Sequence, residues 1–496
     1  MDNERRTVRM RKKLFCRALP LLFFLLIFAV GFIQVRKPLP RGLSFAGEVY
    51  PVPVGNITFL RDLTYRGEGD VMVHDQEIFD AIFFSIDRAE RYVLLDMFLF
   101  NSYISGEFEP LSNLAEELTL RLVEKKKAVP KIRIDVITDP INTVYRGHRS
   151  AQIEALRAAG INVILTDLKR LRDSNPGYSS FWRVFVQWFG NSDRGGILPH
   201  PFSRAGAGVT LRSYLDMLNF KANHRKVFIA DRGDSFVTIV SSANPHDGSS
   251  AHSNVALQIT GDLWRDAYGA EEAVARLSGA DLGPRPRGGD DAAPAGVGDR
   301  AEVVLLTESR IKEEVLALLA ESGEGDRLWM AMFYLSDRDV VRSLLGAARR
   351  GSRVRLILDP NRDAFGYEKN GIPNRQVARE LIEQSGGGVE VRWYDTHGEQ
   401  FHSKLVFLER EGEEATVILG SANLTRRNLE NYNLELDVRV TAGGSLPPVA
   451  DVRLYLERLW ENRGGRFTVD FETFDDSSAL KVLVYRLQEF TGLCSF

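Results

Sequence analysis

The sequence predicts an α/β protein built from two related halves, with one apolar helix ahead of them. Three observations carry this. Segments of buried-strand length alternate with helix-like segments. The same succession of segments occurs twice, on either side of a stretch rich in Gly, Pro and Asp. A charge-free run of sixteen residues, 18–33, follows a strongly basic N-terminus.

The N-terminal element comes first. Seven cations (Arg5, Arg6, Arg9, Arg11, Lys12, Lys13 and Arg17) precede the run, and three (Arg36, Lys37 and Arg41) follow it. A membrane span usually needs about 20 residues, so Arg17 and Gln34 would extend this one by snorkelling. The excess of cations before it favours a cytoplasmic N-terminus, with everything after residue 40 on the extracytoplasmic side. Residues 1–40 are therefore read as a cytoplasmic basic tail and single-pass membrane anchor. A cleaved signal peptide is the competing reading, although Ala29-Val30-Gly31 is a weak cleavage site.

The first half spans 41–280 and the second 301–496. Residues 92–99 (YVLLDMFL) match 328–335 (LWMAMFYL). In each half a helical stretch follows, then a strand ending in Asp-Pro, at Asp139-Pro140 and Asp359-Pro360. Asp-Pro favours turn initiation, so these two acids are read as turn residues. Next, INVILTD to Asp167 matches VEVRWYD to Asp395, NHRKVFIAD matches FHSKLVFLE, and TIVSSAN to Asn244 matches VILGSAN to Asn423. Residues 281–300 read as a linker with too little apolar content to order itself. One large difference separates the halves. Asp395 and His402 lie seven residues apart, whereas Asp167 and His224 lie 57 apart. The inserted segment, 168–220, carries Phe181, Trp182, Phe185, Trp188 and Phe189 at a spacing that gathers them on one helical face. That face packs on its own domain, or else meets a membrane interface or covers the substrate.

Overall composition sets bounds. A chain of 496 residues with 44% hydrophobic and 26% charged content can bury a sizeable core. The net charge of −3 gives no global attraction to nucleic acid or an anionic membrane. Only two cysteines, Cys16 and Cys494, are present, which excludes a disulfide framework and a cysteine-based zinc site.

The chemistry-bearing signal is His-x-Lys, four residues, then an acid. It occurs as His224-Arg225-Lys226 with Asp231 and as His402-Ser403-Lys404 with Glu409. Residues two apart on a strand share a face, so each His and Lys points into one space. Ser242 and Asn244, then Ser421 and Asn423, follow at matched spacing, and Asn254 and Asn433 lie ten residues beyond those asparagines. Cleavage of a phosphodiester, an anion, needs positive charge and donors around its non-bridging oxygens, which two lysines and two asparagines supply with no metal or other cofactor required. One neutral imidazole attacks phosphorus to form a phosphohistidine, and the other, protonated, serves the leaving oxygen. An imidazole that titrates near about 6.5 permits both states.

These paired motifs and their Ser-x-Asn partners resemble the phospholipase D superfamily over nearly all of residues 50–440. The resemblance implies two halves packed about a pseudo-twofold axis with the site between them. It implies His224 as nucleophile and His402 as acid/base, with Lys226, Lys404, Asn244 and Asn423 holding the phosphate and Ser242 and Ser421 nearby. Asp231 and Glu409 complete the motifs. The sequence departs from the family pattern in three places. Glu409 replaces an aspartate. Ser241-Ser242 stands where the second half has Gly420-Ser421. Glu435, twelve residues after Asn423, matches an acid that orients the histidine, placing it with His402, but the first half has Ala256 at that spacing. His224 then takes another carboxylate, with Asp262 a candidate, or the two histidines exchange roles.

The resulting expectation is a membrane-anchored phosphodiesterase acting on membrane phospholipid, by phospholipase D hydrolysis or by phosphatidyl transfer of the cardiolipin synthase kind. A nuclease of the same superfamily is the alternative. Its expected basic tract is absent, since Lys125–Lys127, Arg349–Arg350 and Arg426–Arg427 are short and scattered. A third reading is an inactive phospholipid or anion binder. Oligomeric state is not legible.

Overall fold

The computed structural model describes residues 2–104, 109–287, 298–364, 367–411 and 414–494; most of the expected linker, at 288–297, lies outside them. The two halves each form one mixed sheet around the same seven-strand plan. Edge to edge, the first runs Met72–Gln76, Ile57–Arg66, Asn254–Thr260, Ser235–Ser241, Lys226–Arg232, Tyr92–Met97, Arg133–Thr138 and Asn162–Leu165. The second runs Tyr50–Pro53, Arg300–Thr307, Leu436–Gly443, Glu414–Gly420, Lys404–Glu409, Arg327–Met332, Arg353–Leu358, Val389–Tyr394 and Thr468–Asp470. The last three strands of the first sheet are parallel, as are Arg327–Met332, Arg353–Leu358 and Val389–Tyr394 in the second. Helices Leu114–Ala128 and Ala151–Ala158, then Arg338–Arg349 and Asn374–Ser385, supply the crossovers that parallel pairing requires. The strand Tyr50–Pro53 lies before the first sheet in sequence yet pairs with Arg300–Thr307 of the second, tying the halves together.

Local sequence accounts for these elements. In helix Arg338–Arg349 the Asp337 carboxylate accepts from the backbone N–H groups of Asp339 and Val340, and Val340, Val341, Leu344 and Leu345 form the buried stripe. In the two His-x-Lys strands the apolar residues alternate between cores. Val227 and Ile229, and likewise Leu405 and Phe407, enter one central core shared by both halves. Phe228 and Ala230 face the first half's outer helices, and Val406 and Leu408 face those of the second. The shared core also takes Trp264 and Tyr268 from helix Trp264–Leu277 and Tyr455 and Leu459 from helix Pro447–Glu461.

The N-terminal helix runs over Asp2–Arg36 and includes an apolar stretch, Arg17–Arg36, of 20 residues. At 1.5 Å per residue that is about 30 Å, the thickness of a bilayer core. This helix packs on helix Pro176–Phe181 of the insertion. Gly31 makes the approach possible, because a Cβ there would stand 2.8 Å from Ser180 Oγ. The insertion departs from the expected single aromatic face. After Phe181 the chain makes a π-helical turn over Trp182–Val186, with Gln187 N–H donating to the Trp182 carbonyl at 2.9 Å. That wider turn rotates the register. Trp182 is buried in the domain, while Phe181, Phe185, Trp188 and Phe189 face outward.

Candidate active site

Each histidine sits two residues before the start of a central strand, on a segment held by an acid that the sequence marked only as a turn residue. Asp139 accepts from the backbone N–H of Asn223, next to His224, at 2.7 Å. Asp359 accepts from that of Phe401, next to His402, also at 2.7 Å. The second oxygen of each closes its own turn, on Ile141 N–H and Asn361 N–H. Nothing in the spacing pointed to this duty. It is a repeated Asp-Pro at matched positions, and the repetition was the one available signal.

The halves then cross. His224 donates its backbone N–H to the Leu434 carbonyl at 2.9 Å, and His402 donates its own to Ser253 at 2.8 Å. The residues after those two carbonyls orient the imidazoles: Glu435 Oε2 lies 3.0 Å from His224 Nδ1, and Asn254 Oδ1 lies 3.2 Å from His402 Nδ1. The Asn254 amide is fixed by its nitrogen donating to the His252 carbonyl at 3.0 Å, so its oxygen faces the imidazole. Both acceptors favour hydrogen on the Nδ1 of their histidine. Glu435 thus serves His224, not the His402 of its own half, and Asp262 lies elsewhere, paired with Arg265 at 2.7 Å.

The register also differs from the one counted along the sequence. Ser242 Oγ donates to Asn254 and accepts from Val255 N–H, while Ser421 Oγ donates to Glu435 and accepts from Leu436 N–H. Asn254 and Glu435 are therefore counterparts, reached twelve residues after Ser242 and fourteen after Ser421. Ala256 corresponds to Asp437, not to Glu435. It pairs with Ser241, as Asp437 pairs with Gly420. The two exchanges compensate. A Cβ on Gly420 would stand 2.4 Å from both Asp437 Oδ1 and the Leu436 carbonyl oxygen, so the close approach of this strand requires the glycine. Asp437 accepts from Ala422 N–H at 3.0 Å, and in the first half the Ser241 hydroxyl accepts from Ala243 N–H at 2.8 Å. Ser242 and Ser421, grouped by resemblance with the phosphate ligands, spend their hydroxyls on the orienting residues.

His224, His402, Asn244 and Asn423 line one cavity of about 280 Å³, with Phe98, Phe333, His252 and Asn433 among its other walls. The Asn423 Oδ1 atom is buried without a protein partner. Lys226 and Lys404, two residues along from the histidines, each donate to the carbonyl of their own histidine, at 2.6 and 2.8 Å. They stand over the rings of Phe98 and Phe333 at 5.1 and 5.0 Å. Asp231 and Glu409, expected with the catalytic set, are at the far ends of the two strands. Asp231 accepts from the backbone of Glu90, Arg91 and Tyr92, and Glu409 pairs with Arg327 and Arg453. Arg225, between His224 and Lys226, is fully buried against Glu271 at 3.2 Å and Glu308 at 2.5 Å.

Burial sets the electrostatics. It lowers His224 to about 4, against the opposing pull of Glu435 and with the help of Lys226 and Lys404. His402 has no carboxylate partner among the described residues, and burial, Lys404, His252 and Lys226 take it well below the usual imidazole range. Lys226 falls to about 7, again chiefly by burial. Burial would raise Glu435, but His224, Lys226 and Ser421 outweigh it and hold the carboxyl below its ordinary value. Asp437, buried beside Glu435, rises to about 8. Burial thus favours the neutral form of both imidazoles.

Residues 315–460 match the family model described as cardiolipin synthase, PLD-like domain. A search of curated protein sequences finds no match. Among solved structures, phosphatidylserine synthase from Haemophilus influenzae Rd KW20 aligns at a TM-score of 0.55 and 11% identity, over 94% of this chain and 98% of that one. Polyphosphate kinase from Porphyromonas gingivalis aligns at 0.45 and 13% identity, over 88% of this chain and 53% of that one. Nuc from Salmonella typhimurium, a phospholipase D family member, aligns at 0.26 and 20% identity, over 34% of this chain and 97% of that one. Residues 315–460 are thus similar to the cardiolipin synthase, PLD-like domain, and the chain shares its fold with the synthase along nearly its whole length.

Proposed function

We propose that this protein is a membrane-anchored phosphodiesterase that acts on phospholipid head groups through a phosphohistidine on His224. The observation that carries this reading is the unequal support of the two imidazoles. A carboxylate on Nδ1 stabilises the positive charge that His224 acquires when Nε2 bonds to phosphorus. A neutral amide on His402 orients the ring without holding its proton, as an acid that must release it requires.

In this mechanism the phosphodiester sits against Lys226, Lys404, Asn244 and Asn423. His224 Nε2 attacks phosphorus, the bond from phosphorus to the head-group oxygen breaks, and His402 gives that oxygen its Nε2 proton. Burial, with Lys404, His252 and Lys226, favours neutral His402, and the negative charge of a bound phosphodiester opposes this, so the acid gains its proton as substrate binds. Neutral His402 then takes a proton from water or an acceptor alcohol, which attacks phosphorus and releases His224. Hydrolysis and phosphatidyl transfer differ only in this last nucleophile.

Three features support lipid as the substrate class. The apolar stretch Arg17–Arg36 is almost wholly exposed, as a helix meant for lipid would be. Phe185 stacks on Phe23 of that helix at 5.5 Å, beside the outward-facing Trp188 and Phe189. The last helix, Ala479–Thr491, is amphipathic the wrong way round for water: Leu480, Leu483, Leu487 and Phe490 are exposed at 70%, 65%, 58% and 80%, while Tyr485 and Glu489 are buried. Gly31, fitted against Ser180, supports a retained anchor over a cleaved signal, and the seven preceding cations support a cytoplasmic N-terminus.

The test uses full-length protein in detergent with labelled phosphatidylglycerol, phosphatidylcholine and a single-stranded oligonucleotide. His224→Ala and His402→Ala serve as controls. Phosphatidic acid release or formation of a diphosphatidyl product, lost in both variants, is the expected result. Oligonucleotide shortening alone would replace the lipid reading with a nuclease.

A further inference from the structure

A second cavity of about 150 Å³ adjoins the catalytic one, and Tyr145 and Lys221 line both. Its charged lining consists of Arg146, Lys169, Arg212 and Lys221 against Asp167 and Asp216. Arg212 is paired with Asp216 at 2.5 Å, and Lys221 is paired with Asp173. Arg146 and Lys169 have no acid within ion-pair distance among the described residues, and Lys169 and Arg212 both stand over the indole of Trp182, at 5.9 and 5.1 Å. The wall toward the histidines is a turn of three consecutive residues in the left-handed region, Val144, Tyr145 and Arg146, with φ of 45°, 55° and 67°. A β-branched residue adopts that conformation only where its surroundings impose it. The turn sets Tyr145 between the cavities and Arg146 at the rim of the second.

Among the described residues, this cavity is lined from the first half alone. Lys169, Trp182, Arg212 and Lys221 all belong to or border the insertion, and the second half passes from Asp395 to His402 in seven residues. Among the described residues, a near-symmetric centre therefore has its cationic annex on the first half's side. A symmetric site needs just such a one-sided element to distinguish the two alcohols esterified to its phosphodiester.

We propose that the annex is an anion subsite. It holds a phosphate or carboxylate that does not react, carried by the head group of the lipid being cleaved or by the acceptor alcohol, while the reacting phosphodiester lies between the histidines. The proposal rests on the phosphodiesterase reading above, and its test separates the two.

Full-length protein carrying His224→Ala, in detergent, is titrated by calorimetry with glycerol 1-phosphate, O-phosphoserine and uncharged glycerol. Two anions per chain are expected, one per cavity, and no glycerol. Adding Arg146→Gln and Lys169→Gln is expected to leave one, with affinity at the lost site down about tenfold or more, as for a lost charge-assisted contact. In otherwise wild-type protein the same pair of changes is expected to leave bis(4-nitrophenyl) phosphate hydrolysis unchanged. A KM raised about tenfold for phosphatidylserine with water as acceptor would assign the subsite to the head group. A similar rise for phosphatidylglycerol as acceptor, with phosphatidylcholine as donor, would assign it to the acceptor. An unchanged binding stoichiometry overturns the subsite even if turnover is intact. Absent turnover of bis(4-nitrophenyl) phosphate would instead overturn the catalytic reading, with the stoichiometry still deciding the subsite.

Discussion

Replacing Glu435 by glutamine keeps the shape of the side chain and removes its charge, so it isolates what the carboxylate does for His224. In the native site Glu435 is fully buried, 3.0 Å from His224 Nδ1 and 2.5 Å from Ser421 Oγ, and also accepts from the Asn428 amide. A hydrogen bond to a charged partner contributes about 1.5–3 kcal/mol, which corresponds to about 10- to 150-fold in rate if it strengthens as phosphohistidine forms. A second loss adds to this. The glutamine amide can present N–H to Nδ1 and move the imidazole hydrogen to Nε2, where it blocks attack; a wrong tautomer in a triad costs up to about 10⁴. The expected fall in kcat is therefore about 10² to 10⁴. Rapid-quench measurement of phosphoenzyme formation with a lipid or aryl phosphodiester is the assay, with the burst phase expected to slow by the same factor as steady-state turnover. Retention of a third or more of wild-type kcat by folded protein would refute the role of Glu435. An unchanged burst with slowed turnover would make His402 the nucleophile and Glu435 a partner of the acid/base instead.

Three further outcomes follow from the same geometry. Lys226 is charged below its depressed value of about 7 and neutral above it, so kcat/KM for an anionic diester should fall as pH rises through that point, and Lys226→Arg, which stays charged, should flatten the alkaline limb. Arg225→Met strands Glu271 and Glu308 in the interior and should destabilise the fold by about 3–5 kcal/mol, read as a lowered denaturant midpoint; an unshifted midpoint would show that the acids are accommodated otherwise. Leu483→Glu with Phe490→Glu, both on the exposed face of the last helix, should leave hydrolysis of a soluble diester unchanged and reduce turnover of vesicle phospholipid several-fold, whereas equal rates on both would remove that face from lipid contact.

Much of the fold was legible because its signals are local. Buried strands such as Tyr92–Met97 and Arg327–Met332 announce themselves as apolar runs, and two copies of one succession of segments exposed the two-sheet plan. The paired His-x-Lys motifs likewise marked the two histidines that meet in the cavity. Trp182 was misplaced because 3.6-residue periodicity assumes an unbroken α-helix, and the π-helical turn at Trp182–Val186 changes the register within it.

What the sequence determined by itself was therefore the inventory: two sheets, two histidines and two lysines. Tertiary structure decided the pairing. Glu435 reaches His224 and Asn254 reaches His402 because each histidine segment hydrogen-bonds to the opposite half, a contact across 211 residues in one case and 148 in the other. Spacing counted within a half cannot show this, and the two-residue difference between the loops after Ser242 and Ser421 hid that Asn254 and Glu435 are counterparts. Which imidazole receives a carboxylate, and where the insertion opens a second cavity, are set by packing between segments far apart in the chain. Periodicity carries information only about neighbours along it.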